Sequence, residues 1–175
     1  QDVDYVLTTR ELGQLIKRAG LNLPDLEESE MDAPMGISTG AADIFANTGG
    51  VMEAALRTVW EIVTGNPLPM ENLHVEPLTT LEGVKIAEVT ITGCKPEWDF
   101  LEGVTARFAV AHSLGHAGEL LKKIDSGEEA LHFVEIMTCP GGCIGGGGQP
   151  RFTDNEKRMA RIGAIFAEDE GKPMR

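Results

Sequence analysis

Cys139 and Cys143 stand four residues apart in Cys139-Pro-Gly-Gly-Cys143, and Ile144-Gly-Gly-Gly-Gly-Gln-Pro150 follows at once. Six of the eight positions 141–148 are glycine. Thiolates bind iron and other soft metals, and glycine lets a backbone close on a bulky ligand with no Cβ in the way. The apolar run Phe133-Val-Glu-Ile-Met137 leads straight in and reads as a strand, so both sulfurs would be delivered to one point at its end.

Three chemistries compete for this segment. A tight glycine loop with incidental cysteines would need two thiols and a glycine run to coincide by chance. A phosphate cradle suits a glycine-rich loop between a strand and a helix. Neither G-x-G-x-x-G nor a P-loop ending in Lys-Ser/Thr can be threaded through these glycines, however, and Gln149-Pro150-Arg151 separates them from the next helix. A thiolate-held metal centre is the reading the residues favour. Zinc usually asks for four side-chain ligands in paired spacings, and an iron–sulfur cluster normally takes four thiolates. This chain offers two neighbouring cysteines, and His112 and His116 have no evident partners. Either another segment completes the site or the chain never holds a whole cluster. The third cysteine, Cys94 in Thr92-Gly-Cys-Lys-Pro96, reads as a free thiol in a turn, and an odd count argues against a disulfide framework.

The elements that must position this loop alternate. Val3–Leu7 reads as a short buried strand. Thr8-Thr-Arg-Glu11 is a capping box opening a helix with Leu12, Leu15, Ile16 and Ala19 on one face and Gly20 as its stop. Residues 21–40, with Leu23-Pro-Asp and Asp32-Ala-Pro-Met-Gly, read as a long loop. A helix then carries Val51, Met52, Ala55, Leu56 and Val59 inward and ends at Gly65-Asn-Pro67. Val84–Thr92 reads as a strand whose apolar phase shifts between Ile86 and Ala87, predicting a bulge or burial on both faces. Val104–Ala111 reads as its neighbour, with Val104, Ala106, Phe108 and Val110 on one side. Leu114–Ile124 is a helix closed by Ser126-Gly127, and His132–Met137 the strand entering the cysteine loop. Thr153-Asp-Asn-Glu156 reads as a second capping box, for a helix to about Glu168 with Met159, Ile162 and Phe166 facing in. The interleaving predicts one α/β lobe without internal repeats, spanning 1–175.

With 28 acids against 15 bases the net charge is −13, so a nucleic-acid partner is excluded on electrostatic grounds and a solvated surface expected. No apolar run approaches the roughly 18–20 residues a bilayer span needs. The first residues lack the basic start and apolar stretch of a signal peptide. The chain starts almost directly in its first strand and closes on Gly171-Lys-Pro-Met-Arg175, which suggests a piece of a longer polypeptide. Reduced or metal-bound thiols point to a reducing, cytoplasmic setting.

Glu135-Ile-Met137-Thr-Cys139-Pro-Gly-Gly142-Cys143-Ile-Gly-Gly-Gly-Gly-Gln149-Pro150 resembles the last of the three cysteine signatures of FeFe-hydrogenases. Asp2–Glu11, Ser38–Arg57 with Gly49-Gly-Val-Met-Glu-Ala-Ala-Leu56, and Val110-Ala-His-Ser-Leu-Gly115 resemble the same family in the same order, over nearly the whole chain. The resemblance implies a mixed sheet flanked by helices, about half of a two-lobed catalytic domain. The cleft of that domain holds the H-cluster, a 4Fe–4S cubane joined through a cysteine sulfur to a di-iron unit with CO, cyanide and a dithiolate.

By the same resemblance Cys139 is a cubane ligand and Cys143 the thiolate shared with the di-iron unit. Met137 lies beside that unit, where a soft thioether fits, and Phe45 forms part of an apolar wall against water and oxygen. Packing alone would also account for either side chain, Met137 as a buried strand residue and Phe45 as a core anchor. Gly142, Gly146, Gly147, Gln149 and Pro150 line the cofactor. The chain departs from the family's pattern at Ala46, where many relatives carry Gly, and at His116, where Asn is common. It also lacks the two earlier cysteine signatures and the ferredoxin-like cluster domains. An isolated segment is therefore expected to bind no cluster and to be inactive. Its implied partners are the missing N-terminal lobe, those cluster domains, and ferredoxin or NAD(P)H-oxidising subunits. The family also has non-catalytic relatives in iron–sulfur assembly and H2 sensing.

Overall fold

The computed structural model describes residues 2–29, 32, 38–69, 76–77 and 83–172. Its centre is a mixed sheet in the order β1-β2-β3-β4, formed by Glu76–Pro77, Val84–Thr90, Thr105–His112 and Phe133–Met137. β1 pairs with β2 and β2 with β3 in antiparallel fashion, and β4 lies parallel to β3. That parallel pair requires a crossover, supplied by helix α4 (Leu114–Asp125).

Both faces of the sheet are covered. α3 (Gly50–Thr64) packs Met52 and Trp60 against Ala87, Val89, Phe108 and Val110. α4 packs Ala117 and Leu120 against Val84, Ala109 and Ala111 on the other side. This resolves the phase shift in β2. Its register against β3 is unbroken from Val84↔Ala111 to Thr90↔Thr105, so there is no bulge; the strand is buried on alternate faces. The apolar phase changes because the strand serves two cores, and β3 likewise buries Phe108 through Ala111 consecutively rather than one side alone.

α1 (Thr9–Arg18) follows from its cap. The Thr8 side chain accepts from the Glu11 amide while the Glu11 carboxylate accepts from the Thr8 amide. None of its residues is buried, so the Leu12–Leu15 face is apolar and uncovered. The predicted strand Val3–Leu7 is a correction. These residues form no strand, and Val3, Tyr5, Val6 and Leu7 are exposed. A strand exists only through a ladder partner, and none of the described residues supplies one. In the predicted loop a short 3-10 turn forms at Leu23–Asp25. Most of Met31–Ile37 and the chain end at Pro173–Arg175 fall outside the described residues.

α2 (Gly40–Asp43) and a 3-10 turn at Ile44–Ala46 lead into α3. Gly50 is obligatory there, because a Cβ would lie 1.7 Å from the Ile44 carbonyl oxygen. The inward side of α3 differs in part from expectation. Ala54, Trp60 and Val63 are buried, whereas Val59 is half exposed. The last helix, α5 (Asn155–Gly171), packs mainly on α2 and the turns at Ile44–Ala46 and Cys143–Gly145. α5 is capped by Asp154 rather than Thr153, with the carboxylate accepting from the Lys157 amide at 2.9 Å. Met159 is exposed and Ile162 and Phe166 partly buried. The anchor of α5 is instead a buried ion network. Arg57 donates to Asp169 at 2.7 and 2.9 Å and to Glu53 at 2.5 Å, with Asp169 wholly buried. Removing one partner of such a group typically costs about 3–5 kcal/mol.

Candidate metal centre at the cysteine loop

β4 ends where its register pairs Met137 with His112, and the Ser113 amide donates to the Met137 carbonyl at 2.8 Å. The chain then curls through three tight turns. The amides of Gly142, Gly145, Gly146 and Gln149 donate at 3.0 Å to the carbonyls of Cys139, Gly142, Cys143 and Gly146. The curl brings the chain back over the first sulfur, because a Cβ on Gly146 would stand 3.8 Å from Cys139 Sγ. Ile144 is buried and pins the loop, and Arg161 Nη1 donates to its carbonyl at 2.5 Å.

Gly142 sets the loop's position. Its φ is 85°, and a Cβ would sit 2.8 Å from backbone atoms of Asn47 and Thr48 and 2.9 Å from the Ala46 oxygen. The Thr48 amide also donates to the Gly141 carbonyl at 3.2 Å. The cysteine loop and the segment after Phe45 are thus in backbone contact. Phe45 itself is 49% exposed and lines a shallow depression with Val51, Ala54 and Thr58. It is not a core anchor.

A second link between these segments is Glu135, only 6% exposed in the middle of β4. Its Oε1 accepts from the Gly49 amide and its Oε2 from the Met52 amide, both at 2.7 Å. α3 has no side-chain cap of its own. The β4 carboxylate satisfies its first free amides and sits at the positive end of its dipole. Spacing in the sequence places Glu135 inside the cysteine motif without assigning it a role. An acid amid Phe-Val-x-Ile-Met was the signal, since a buried charge needs donors.

The predicted site residues are distributed as follows. Cys143 is exposed, Cys139 partly buried, and both are free thiols. Met137 is partly buried at the strand end, Gly142 is buried, and Gly147 faces open space at its Cβ position. Gln149 and Pro150 shape the exit. The Gln149 carbonyl accepts from Arg10 at 2.7 Å and the Pro150 carbonyl from Thr153 Oγ1 at 2.8 Å. Arg10, absent from the predicted set, also reaches the Gly147 carbonyl at 2.5 Å.

Among the described residues no group of three or more His, Cys, Asp or Glu could hold a metal ion. His116 Nδ1 bonds the His112 carbonyl at 2.8 Å and Ser113 Oγ at 3.0 Å. His112 Nδ1 is buried without a partner among the described residues. Burial first, then nearby His116, Lys85 and Arg158, pushes the His112 ring below the usual imidazole range. Cys94 stands far off in sequence, its amide bonded to Glu102, and desolvation followed by that carboxylate raises its thiol.

The donor set fits part of an iron–sulfur site. Two free soft thiols flank a glycine curl with room beside Gly147. Asn47 Nδ2, Thr48 Oγ1 and Arg158 Nε, on residues against the loop, are buried polar atoms without partners among the described residues.

Residues 1–147 match the family described as iron-only hydrogenase large subunit, C-terminal domain. The chain is 47% identical over 175 residues to the NADP-reducing hydrogenase subunit HndD of Solidesulfovibrio fructosivorans, spanning 99% of this chain and 28% of that protein. It is 40% identical over 150 residues to the periplasmic Fe hydrogenase large subunit of Nitratidesulfovibrio vulgaris, spanning 86% of this chain and 33% of that protein. A weaker likeness, 32% over 163 residues, links 89% of the chain to 31% of cytosolic iron-sulfur assembly component 3 of Mus musculus. Among solved structures, a variant of FeFe-hydrogenase HydA1 from Chlamydomonas reinhardtii superposes with a TM-score of 0.79 at 40% identity, covering 99% of this chain and 47% of that one. The chain therefore spans a third or less of those curated relatives and about half of the solved structure. With the family matched over residues 1–147 and curated hydrogenases 40–47% identical over most of its length, this chain belongs to the family of C-terminal domains of iron-only hydrogenases.

Proposed function

We propose that the 175 residues form one lobe of the catalytic domain of an FeFe-hydrogenase whose parent protein interconverts H2 with two protons and two electrons. The observation that carries this reading is the pair of free thiols at the end of β4, inside a family match. Cys139 and Cys143 would hold the H-cluster, whose 4Fe–4S and di-iron parts supply the redox and H–H bond chemistry when bound. The other two thiolates would come from the N-terminal lobe of the parent.

The chain's own contributions are ligation, placement and shielding. β4 and the glycine curl present the two sulfurs, and Gly142 and Glu135 tie them to the segment bearing Phe45. Met137 offers a thioether beside the sulfurs, and Phe45 an exposed ring that the second lobe would help enclose. Gly146, Gly147, Gln149 and Pro150 complete the lining. The partners are that second lobe, ferredoxin-like cluster domains, and a ferredoxin or NAD(P)H-oxidising subunit. The setting is the cytoplasm, supported by the free cysteines. Among the described residues no helix is long and apolar enough to cross a membrane.

The test joins this chain to its N-terminal half, matures the product with the di-iron cofactor, and measures H2 evolution with a reduced dye. Turnover lost on Cys143→Ser supports the proposal. A bound cubane with no turnover refutes it in favour of an assembly or sensing role.

A further inference from the structure

Two arginines hold the cysteine loop by its carbonyl oxygens, one from each side. From α1, Arg10 Nη1 donates to the carbonyls of Gly147 (2.5 Å) and Gln149 (2.7 Å), and its amide donates to the Gly148 carbonyl at 3.2 Å. From α5, Arg161 Nη1 donates to the Ile144 carbonyl at 2.5 Å and to Thr153 Oγ1 at 3.2 Å. Neither guanidinium is in an ion pair with a carboxylate among the described residues, in a chain with 28 acidic side chains. Their charge is directed at the loop.

A planar trans peptide points each carbonyl opposite to the amide that follows it. With the carbonyls of Ile144, Gly147 and Gly148 turned out to the arginines, the amides of Gly145, Gly148 and Gln149 are turned the other way. Two of them are found inside the curl, Gly145 donating to Gly142 and Gln149 to Gly146. The amides of Gly147 and Gly148 have no acceptor among the described residues. They belong to the stretch that returns over Cys139 Sγ at Gly146.

We propose that Arg10 and Arg161 are positioning residues that brace the cysteine loop by its carbonyls, presenting the Gly148 amide, and two guanidinium charges, to a thiolate-bound cluster. The idea rests on the cluster-site reading of the loop. Amide hydrogen bonds and nearby positive charge both stabilise the more negative, reduced form of an iron–sulfur centre. Loss of either arginine therefore lowers its midpoint potential. Lysine at position 10 keeps the charge and three donors, so it restores the potential in large part, though without the planar fork.

Two measurements on Arg10→Ala, Arg10→Lys and Arg161→Ala test this. In the metal-free chain, hydrogen exchange over residues 144–151 is expected to speed up by roughly tenfold or more in either alanine variant, as loss of at least one charge-assisted hydrogen bond implies, with Arg10→Lys near wild type. The α1 capping box, which does not involve the Arg10 side chain, serves as the internal control. Exchange within twofold of wild type overturns the brace, and so does equal acceleration across the α1 segment, which would mean general loosening. In the matured parent, the cubane potential should move negative in Arg10→Ala and return in Arg10→Lys. An unchanged potential, or an equal shift in both variants, overturns the electrostatic role. A wild-type parent that takes up no iron would instead refute the proposed function, while the exchange result would still decide the brace.

Discussion

Glu135→Gln removes a charge from the middle of a strand while keeping its shape, and the geometry sets the cost. The two carboxylate oxygens accept from the Gly49 and Met52 amides at 2.7 Å each, with the side chain almost wholly buried. Glutamine keeps one acceptor and turns an NH2 against the other amide. One charge-assisted bond, about 1.5–3 kcal/mol, is lost and the other becomes neutral. One amide at the N-terminus of α3 is left buried without a partner, about 1–3 kcal/mol. These terms overlap, so the expected destabilisation is about 2–4 kcal/mol, a large share of the roughly 5–15 kcal/mol typical of a folded domain. Urea unfolding of the chain, followed by fluorescence, measures it directly, because Trp60 sits on α3 in the core against the sheet. Glu88→Gln, at an exposed pair with Arg107, is the control and should cost about 1 kcal/mol or less. A loss in Glu135→Gln no greater than in that control would refute the claim that β4 caps α3.

The remaining predictions concern the loop and its neighbourhood. Gly142→Ala forces a left-handed backbone on alanine and drives a methyl into the Asn47–Thr48 backbone, so it should cost about 1–3 kcal/mol in thermal or urea unfolding. Gly147→Ala meets nothing within 4 Å and should unfold within about 0.5 kcal/mol of the parent chain. His112 should make stability fall on mild acidification. Burial, then His116, Lys85 and Arg158, lowers its folded-state value, while the unfolded ring titrates near about 6.5. Above that pH both states are neutral and stability is full; below it the unfolded chain takes up a proton that the folded chain refuses. Unfolding free energies at pH 7.5 and 5.5 should therefore differ more in the wild type than in His112→Gln. Equal differences would show that the ring does not titrate abnormally.

The sequence by itself determined what depends on neighbours a few residues away. The capping box at Thr8–Glu11, the ends of α1 and α3 at their glycines, the pairing of β2 with β3 and the turns of the glycine-rich cysteine loop all rest on local spacing, and all are present. Asp154 took the cap of α5 from Thr153, a shift of one residue within the same polar run. Tertiary structure decided whatever needed a distant partner. Val3–Leu7 has strand composition but no ladder among the described residues, and α1 has an apolar face that nothing described covers. The irregular phase of β2 came from two cores, not from a bulge. Glu135 found its donors 83 and 86 positions away, and Arg10 its carbonyls 137 and 139 away. Local periodicity records which way a side chain faces, whereas a buried carboxylate or a guanidinium is placed by the groups it must satisfy. Those groups are brought together only when the sheet and its helices close around them.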